Sequence, residues 1–572
     1  MNRLLRPSSR TLLLSLALFA LGLAAREGVA QGAEEADPPE VAVGERLFLE
    51  TRFAQFFASH MTGVNAPLAV GDPVMEKTLT RGAPLDGPFA GQSMNCRACH
   101  LVDEQLGVPG GGMRTYGDFA RRSPIPARDD GRLSTPRNSP PLVNASLARP
   151  GGVVLHFDGE FPSLEALVKG TLSGRNYGWL PAEADLAIAH VARVIREDDG
   201  SGALAMAFGG AYAVVLSGTD PGVPQQLRLP PAYRIDVSHA SDSEIFDAVA
   251  RLIAVYVRQL VFEQDARGRF VGSPFDRFLE RNDLPRAPRR GEAAQAYTAR
   301  LREAVARVQS PVFVSEGPFE FHDADRVFGP EELAGLRIFL ALPPAPGLRT
   351  AATTGVGNCA ACHPAPAFTD FGFHNTGVTQ MGYDGVHGDG AFARIAIPSL
   401  VQRSRRPDDY LPATVRHPHA KEPFRAVPAA DRPGATDLGV WNIFANPDFP
   451  APQEKLWHAL CLQELGRDGA ADRGAPALLR VLRHCRAEAL LESSVAAFKT
   501  PGLRDLGHSA PYMHDGGFDT LEDVIAFYRR VSSLERVGAL RNGAEELAGI
   551  ALTDSDARAL AAFLRSLDED YD

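Results

Sequence analysis

Apolar positions along the chain fall into two kinds of pattern. One is a continuous run over residues 12–25, preceded by Arg3 and Arg6 and closed by Gly28-Val29-Ala30. A basic start, a short apolar stretch and a small-x-small end predict a secretory signal peptide over residues 1–30. The run is shorter than the roughly 20 apolar residues that a membrane span needs. No other stretch comes close, so the expectation is an exported, periplasmic protein with no stable membrane insertion. The other pattern is helical. Gly44-Glu45-Arg46-Leu47-Phe48-Leu49 and Gly335-Leu336-Arg337-Ile338-Phe339-Leu340 carry helix-type spacing. Ser163 and Thr520 stand as N-caps ahead of helices over 164–169 and 521–530. The predicted class is mostly α.

These stretches come in matched pairs. Ser139-Pro140-Pro141-Leu142-Val143-Asn144 corresponds to Thr500-Pro501-Gly502-Leu503-Arg504-Asp505. Asp158-Gly159-Glu160-Phe161-Pro162-Ser163-Leu164-Glu165 corresponds to Asp515-Gly516-Gly517-Phe518-Asp519-Thr520-Leu521-Glu522. The same blocks in the same order predict an internal duplication, with a helix before and a capped helix after the centre of each copy. The Asp-Gly ahead of each cap makes a turn that aims the preceding residues back towards that centre. Those residues are His156-Phe157 and Met513-His514, so Met513 stands in the place of His156 and His514 in that of Phe157. Side chains that merely pack on a turn are the alternative.

The cysteines say what the centres hold. Four of the six form Cys96-Arg97-Ala98-Cys99-His100 and Cys359-Ala360-Ala361-Cys362-His363. In C-x-x-C-H the thiols add to the haem vinyl groups and the histidine meets the iron. A thioredoxin-like redox pair does not need the histidine, and a zinc site needs a second pair at matching spacing. Two covalently attached c-type haems are expected, with His100 on the iron of haem 1 and His363 on that of haem 2. Cys461 and Cys485 are candidates for a disulfide, which their spacing leaves open. The net charge of -11 provides no basic stripe for phosphates, which excludes nucleic acid as a partner. It suits docking of a basic electron carrier.

With both motifs and the duplication in view, the chain resembles the bacterial di-haem cytochrome c peroxidases and their MauG-type relatives. The resemblance rests also on "RNSP" at 137–140, "GSPFDRFL" at 272–279, "FTDFGFHNTGV" at 368–378 and "FKTPGLRDLGHSAPYMHDGGFDTLEDVIAFY" at 498–528. It implies a mostly helical fold of two cytochrome c-like haem domains, 41–200 for haem 1 and 321–572 for haem 2. Residues 201–320 are then an insertion and helical connector, and about 402–491 a second insertion. The family places a calcium ion between the domains, with Asn138 as its side-chain ligand. It makes Met513 the distal ligand of haem 2, with His514 as rival; a thioether opposite a histidine raises the potential. Electrons from a small donor protein, a cytochrome c or cupredoxin, enter at haem 2, and hydrogen peroxide meets haem 1.

The chain departs from that family around haem 1. Where the peroxidases read Phe-Trp-Asp-Gly-Arg, it reads His156-Phe157-Asp158-Gly159-Glu160, which weakens a relay through the tryptophan position; Trp179 is a nearby substitute or a packing residue. The family's distal glutamate has no counterpart in Gly174-Arg175-Asn176-Tyr177-Gly178-Trp179, and Glu183 is displaced towards the next helix. Between His100 and His156 there is no histidine; Tyr116 holds the position of the family's blocking ligand, with Met113 close by. His156 is therefore the main candidate, as ligand of haem 1 or as its distal proton carrier. Tyr177 and Arg175 are candidates to stabilise the leaving oxygen. The expected activity is peroxide reduction. The alternatives are MauG-like or oxygenase-type oxidation of a protein or organic substrate, and a non-catalytic electron carrier or redox sensor.

Overall fold

Gly44 and Gly335, the glycines that open the first matched blocks, sit at two helix crossings. Helix α1 (Pro39–Phe48) lies across α4 (Asp242–Gln259), and a Cβ on Gly44 would collide with the carbonyl oxygen of Leu252. Helix α5 (Pro330–Leu340) lies across α8 (Asp554–Arg565), and a Cβ on Gly335 would collide with the carbonyl oxygen of Ala559. Only glycine allows backbones to approach so closely. These contacts come from a computed structural model that describes residues 37–72, 79–80, 83–84, 93–96, 99–100, 122–123, 125–149, 151–319, 322, 324–344, 354–467 and 485–569. The expected signal peptide, Met113 and Tyr116 lie outside the described residues. Residues 39–572 form one compact unit.

Each crossing organises a core. Around the first, α2 (Leu164–Leu172) and α3 (Ala184–Glu197) pack on α4 and bury Val43, Leu47, Phe48, Val191, Ile195, Val249 and Leu252. Helix α4 falls within the stretch expected as connector, yet its apolar stripe faces α1, α2 and α3. A capping box starts it, Ser241 accepting from the Glu244 amide while Glu244 accepts from that of Ser241. Around the second crossing, Phe275, Phe339, Phe368 and Phe563 meet largely edge to face. Buried Arg504 binds Asp276 of the "GSPFDRFL" segment at 2.8 Å and Glu569 near the C-terminus at 2.5 Å. That segment and "LRD" therefore support each other as a paired, buried ion cluster.

Residues of the stretch 402–491 build a third core, centred on Trp441, Leu438, Leu456 and Leu460. Within it Cys461, on α6 (Gln453–Arg467), is disulfide-bonded to Cys485 with Cα atoms 5.6 Å apart. Strand content is small. Antiparallel pairs join Leu79–Thr80 to Ala83–Pro84, Val314–Pro318 to Asp325–Phe328, and Phe373–His374 to Phe498–Lys499. In the last pair Phe373 faces Lys499 and His374 faces Phe498, which clamps the segment after the second cysteine motif onto the approach to the Met513 turn. Among the described residues no helix is long and apolar enough to cross a membrane.

Candidate haem sites

The two C-x-x-C-H motifs fold alike. The His100 amide bonds the Cys96 carbonyl and the His363 amide that of Cys359, both at 2.9 Å. Positions i, i+3 and i+4 of such a turn share a face, which sets two thiols and one imidazole side by side. Asparagines anchor both turns, Asn95 donating to the Leu49 carbonyl at 2.9 Å and Asn358 to that of Glu546 at 2.8 Å. Burial pushes the thiols up, Cys96 to about 11 and Cys359 to about 12.

The imidazoles are ready for iron. His363 donates from Nδ1 to the Phe368 carbonyl at 2.8 Å. That fixes the tautomer and leaves the Nε2 lone pair for a metal. The buried Nδ1 of His100 faces the Pro140 carbonyl without closing a hydrogen bond of normal geometry. Burial lowers the pKa of His100 to about 4, and the nearness of His156 adds to the effect. Cys359, Cys362, His363 and Met513 line one cavity with about 1650 Å³ of empty space, its open mouth included. The walls are mostly apolar, with Phe339, Leu521, Ile525 and Leu560 among them. Thiols, imidazole, thioether and apolar walls together fit a c-type haem.

The turns opposite the motifs are also alike. Leu155 donates to the Phe161 carbonyl at 2.8 Å, and Tyr512 to that of Phe518 at 2.7 Å. His156 has φ +63° and Met513 φ +71°, each followed three residues later by a glycine of positive φ, Gly159 and Gly516. Left-handed backbone is unfavourable for these side chains, and it recurs at the two aligned positions. The caps match as well, Ser163 Oγ accepting from the Ala166 amide and Thr520 Oγ1 from that of Asp523, both at 3.1 Å.

His514 is buried and stacks on Phe498, with centroids 3.6 Å apart and planes 11° from parallel. Phe157 stands edge-on to it at 6.5 Å. Met513 and His514 both line the cavity, and the ring of His514 is also engaged in packing between the two turns. Asn138 ties the first unit to the same place: its amide bonds the His514 carbonyl at 2.8 Å, its Nδ2 that of Pro511 at 2.7 Å, and its Oδ1 accepts from Ser139 at 3.0 Å. Oδ1 keeps one lone pair, the most it offers to a calcium ion.

The candidates around haem 1 part company. Tyr177 is buried with its hydroxyl 3.1 Å from Cys96 Sγ. Burial raises its pKa, with Cys96 adding to this, so it stays a neutral phenol. Arg175 grips Asp130 through two bonds of 2.7 and 2.8 Å, directing its guanidinium to that carboxylate. Glu183 pairs with Arg128 at 2.7 Å and accepts from the Leu180 amide. Trp179 is buried beside His190 and donates to the Phe53 carbonyl, as a packing residue does.

His156 Nδ1 lies 3.3 Å from Glu160 Oε2, and its ring takes the edge of Phe161 at 4.8 Å. Arg425, from the stretch expected as an insertion, reaches the same carboxylate. Sequence reasoning missed this partner because nothing periodic links positions 160 and 425. It missed a second cluster for the same reason: His322 and His508 lie stacked at 3.8 Å, each bonded to one oxygen of Asp505. Ligand atoms of His322, Asp505 and His508 all lie within 4.8 Å of one another, close enough to share a metal ion.

No family model matches the chain. The cytochrome-c peroxidase IdrP2 of Pseudomonas sp. (strain SCT) is 43% identical over 79 residues, 14% of this chain and 19% of that protein. The methylamine utilization protein MauG of Methylophilus methylotrophus is 38% identical over 72 residues, 13% of this chain and 20% of that protein. The matched stretch thus spans about a fifth of these curated relatives. Among solved structures, the diheme peroxidase BthA of Burkholderia thailandensis E264 aligns over 95% of this chain and 89% of its own, at 16% identity and a TM-score of 0.39. A MauG-like protein associated with microbial copper homeostasis aligns over 95% and 92%, at 16% identity and a TM-score of 0.37. Over that short stretch the chain is similar to curated proteins named cytochrome-c peroxidase and MauG.

Proposed function

We propose that the protein is an exported di-haem c-type oxidoreductase that reduces hydrogen peroxide to water with electrons from a small redox protein. The observation that carries this reading is the strained turn used twice, with His156 in one copy and Met513 in the other. When bound, the haems supply the electron storage and the peroxide-cleaving chemistry. His100 and His363 would hold the two groups. Met513 would offer haem 2 a thioether, which favours the reduced form and suits a site where electrons enter. At haem 1, His156 takes a proton from peroxide at Nε2 and returns it to the departing oxygen. Tyr177 stays protonated beside Cys96 and keeps that side of the site neutral.

The test is oxidation of a reduced small cytochrome on addition of hydrogen peroxide. His156→Ala is expected to slow it by roughly 10²–10⁴-fold, the usual worth of a positioned acid–base, with both haems still attached. Wild-type turnover by His156→Ala would contradict the assignment. A second reading, oxidation of a protein or organic substrate, is favoured by an open cleft beside His156. The cleft is lined in part by Arg149, Phe371 and Lys499.

A further inference from the structure

We propose that Glu160 and Arg425 form a positioning pair for His156, with Arg425 delivered by the stretch 402–491, so that this stretch helps to set the proton chemistry of haem 1. The inference rests on the reading of His156 given above and adds residues that the resemblance did not supply.

The geometry runs outward from the imidazole. His156 Nδ1 is 3.3 Å from Glu160 Oε2, four residues on across the turn. Arg425 donates to that same oxygen at 2.5 Å and lies 3.4 Å from Asp158 Oδ2. Arg137 joins Asp158 at 2.5 Å and holds Asp437 through bonds of 2.6 and 2.9 Å. Arg425 and Asp437 face each other across an antiparallel bridge, so one short hairpin presents a cation and an anion to the His156 turn. Asp158 is fully buried and Arg137 nearly so, which makes these pairs costly to separate.

This network does two things to His156. It over-determines a turn whose backbone is held in the left-handed region, a conformation that needs such support. It also fixes the proton. Burial works against the carboxylate of Glu160, but Arg425 and then His156 outweigh burial, so Glu160 stays ionised. An ionised Glu160 accepts from Nδ1–H and leaves Nε2 as the proton acceptor. The family's distal glutamate is missing from residues 174–179. Glu160 does not replace it as an acid, since a carboxylate bonded to Arg425 has no proton to give; it acts through His156 instead. The charged groups around His156 are Glu160 and Asp158 on its own turn, Arg137 from the preceding loop, and Arg425, Asp437 and Glu422 from the 402–491 stretch. His100 from the attachment turn, Lys499 from the strand beside Phe157, and Arg149 from the cleft beside His156 also face it.

The experiment uses the holoprotein with both haems attached and compares Glu160→Gln, Arg425→Gln and Arg425→Lys with His156→Ala. The pH midpoint of the ferric haem 1 absorption and EPR signals is read alongside the rate of reaction with peroxide. Glu160→Gln is expected to lower the midpoint by about one unit and to slow the reaction roughly 10–100-fold, as loss of a partner behind an imidazole does. Arg425→Gln is expected to slow it comparably, and Arg425→Lys to restore most of the rate. The potential of haem 2 should not move. A Glu160→Gln protein with the wild-type midpoint and rate, where His156→Ala alters both, overturns this inference alone. If His156→Ala also leaves haem 1 unchanged, the assignment of His156 fails first and this inference with it. The spectral midpoint gives an answer whether or not peroxide is the natural substrate.

Discussion

Met513 and His156 hold one backbone conformation, φ +71° and +63°, at aligned places in two turns. What differs is the donor atom. A thioether favours ferrous iron and an imidazole does not, so on the proposed reading this exchange would set an electron-entry site apart from a reaction site. Met513→Ala is therefore expected to lower the potential of one haem by on the order of 0.1 V, with attachment intact, as followed by spectroelectrochemical titration. An unmoved potential would return the ligand role to His514 or water. Much at this scale was legible in the sequence. The motifs named Cys96, Cys99, His100, Cys359, Cys362 and His363, and the matched blocks set His156 against Met513. Partners were not legible. Arg175 reads as a site residue from its neighbour Tyr177, yet Asp130, 45 positions away, takes its guanidinium.

Among the elements, the helices that carry Gly44 and Gly335 were foreseen from their spacing, and so were the capped helices α2 and α7 (Leu521–Arg536). What spacing did not reveal is which helices cross at those glycines, because a crossing partner leaves its mark in another part of the chain. Helix α4 is the clearest case, packed on the first core from within the expected connector. The loop that leads to Met513 is secured in a similar long-range way. Asp505 accepts from His322 at 2.8 Å and from His508 at 2.9 Å. Burial disfavours a charged His322, but Asp505, with Asp568 behind it, outweighs burial and lifts its pKa to about 9. An unfolded histidine titrates near 6.5. The raised folded value means that this stabilisation is complete below about pH 6.5 and lost as the pH rises through about 9, on the order of 2–3 kcal/mol in all. His322→Gln should lower the melting temperature at pH 6 and have a much smaller effect above pH 9. A deficit that does not change with pH would contradict the ion-pair account.

At the scale of the whole molecule, the two sites meet through a few side chains. Asn138 of the first unit bonds the Met513 turn of the second, and Phe157, His514 and Phe498 pack in series between the turns. The stretch 402–491 adds Arg425 and Asp437 to the haem 1 side. Its contact with Glu160 was not legible in the sequence, since only the folded chain brings position 425 to position 160. The central claim is that one haem accepts electrons through Met513 while the other meets peroxide beside His156. EPR of the ferric protein, repeated after one-electron reduction and again after adding hydrogen peroxide, tests it most directly. The account predicts that the first electron silences the Met513 haem, leaving ferric haem 1 with a high-spin signal that vanishes when peroxide is added. Two haems that are low-spin in every state and indifferent to peroxide would contradict it.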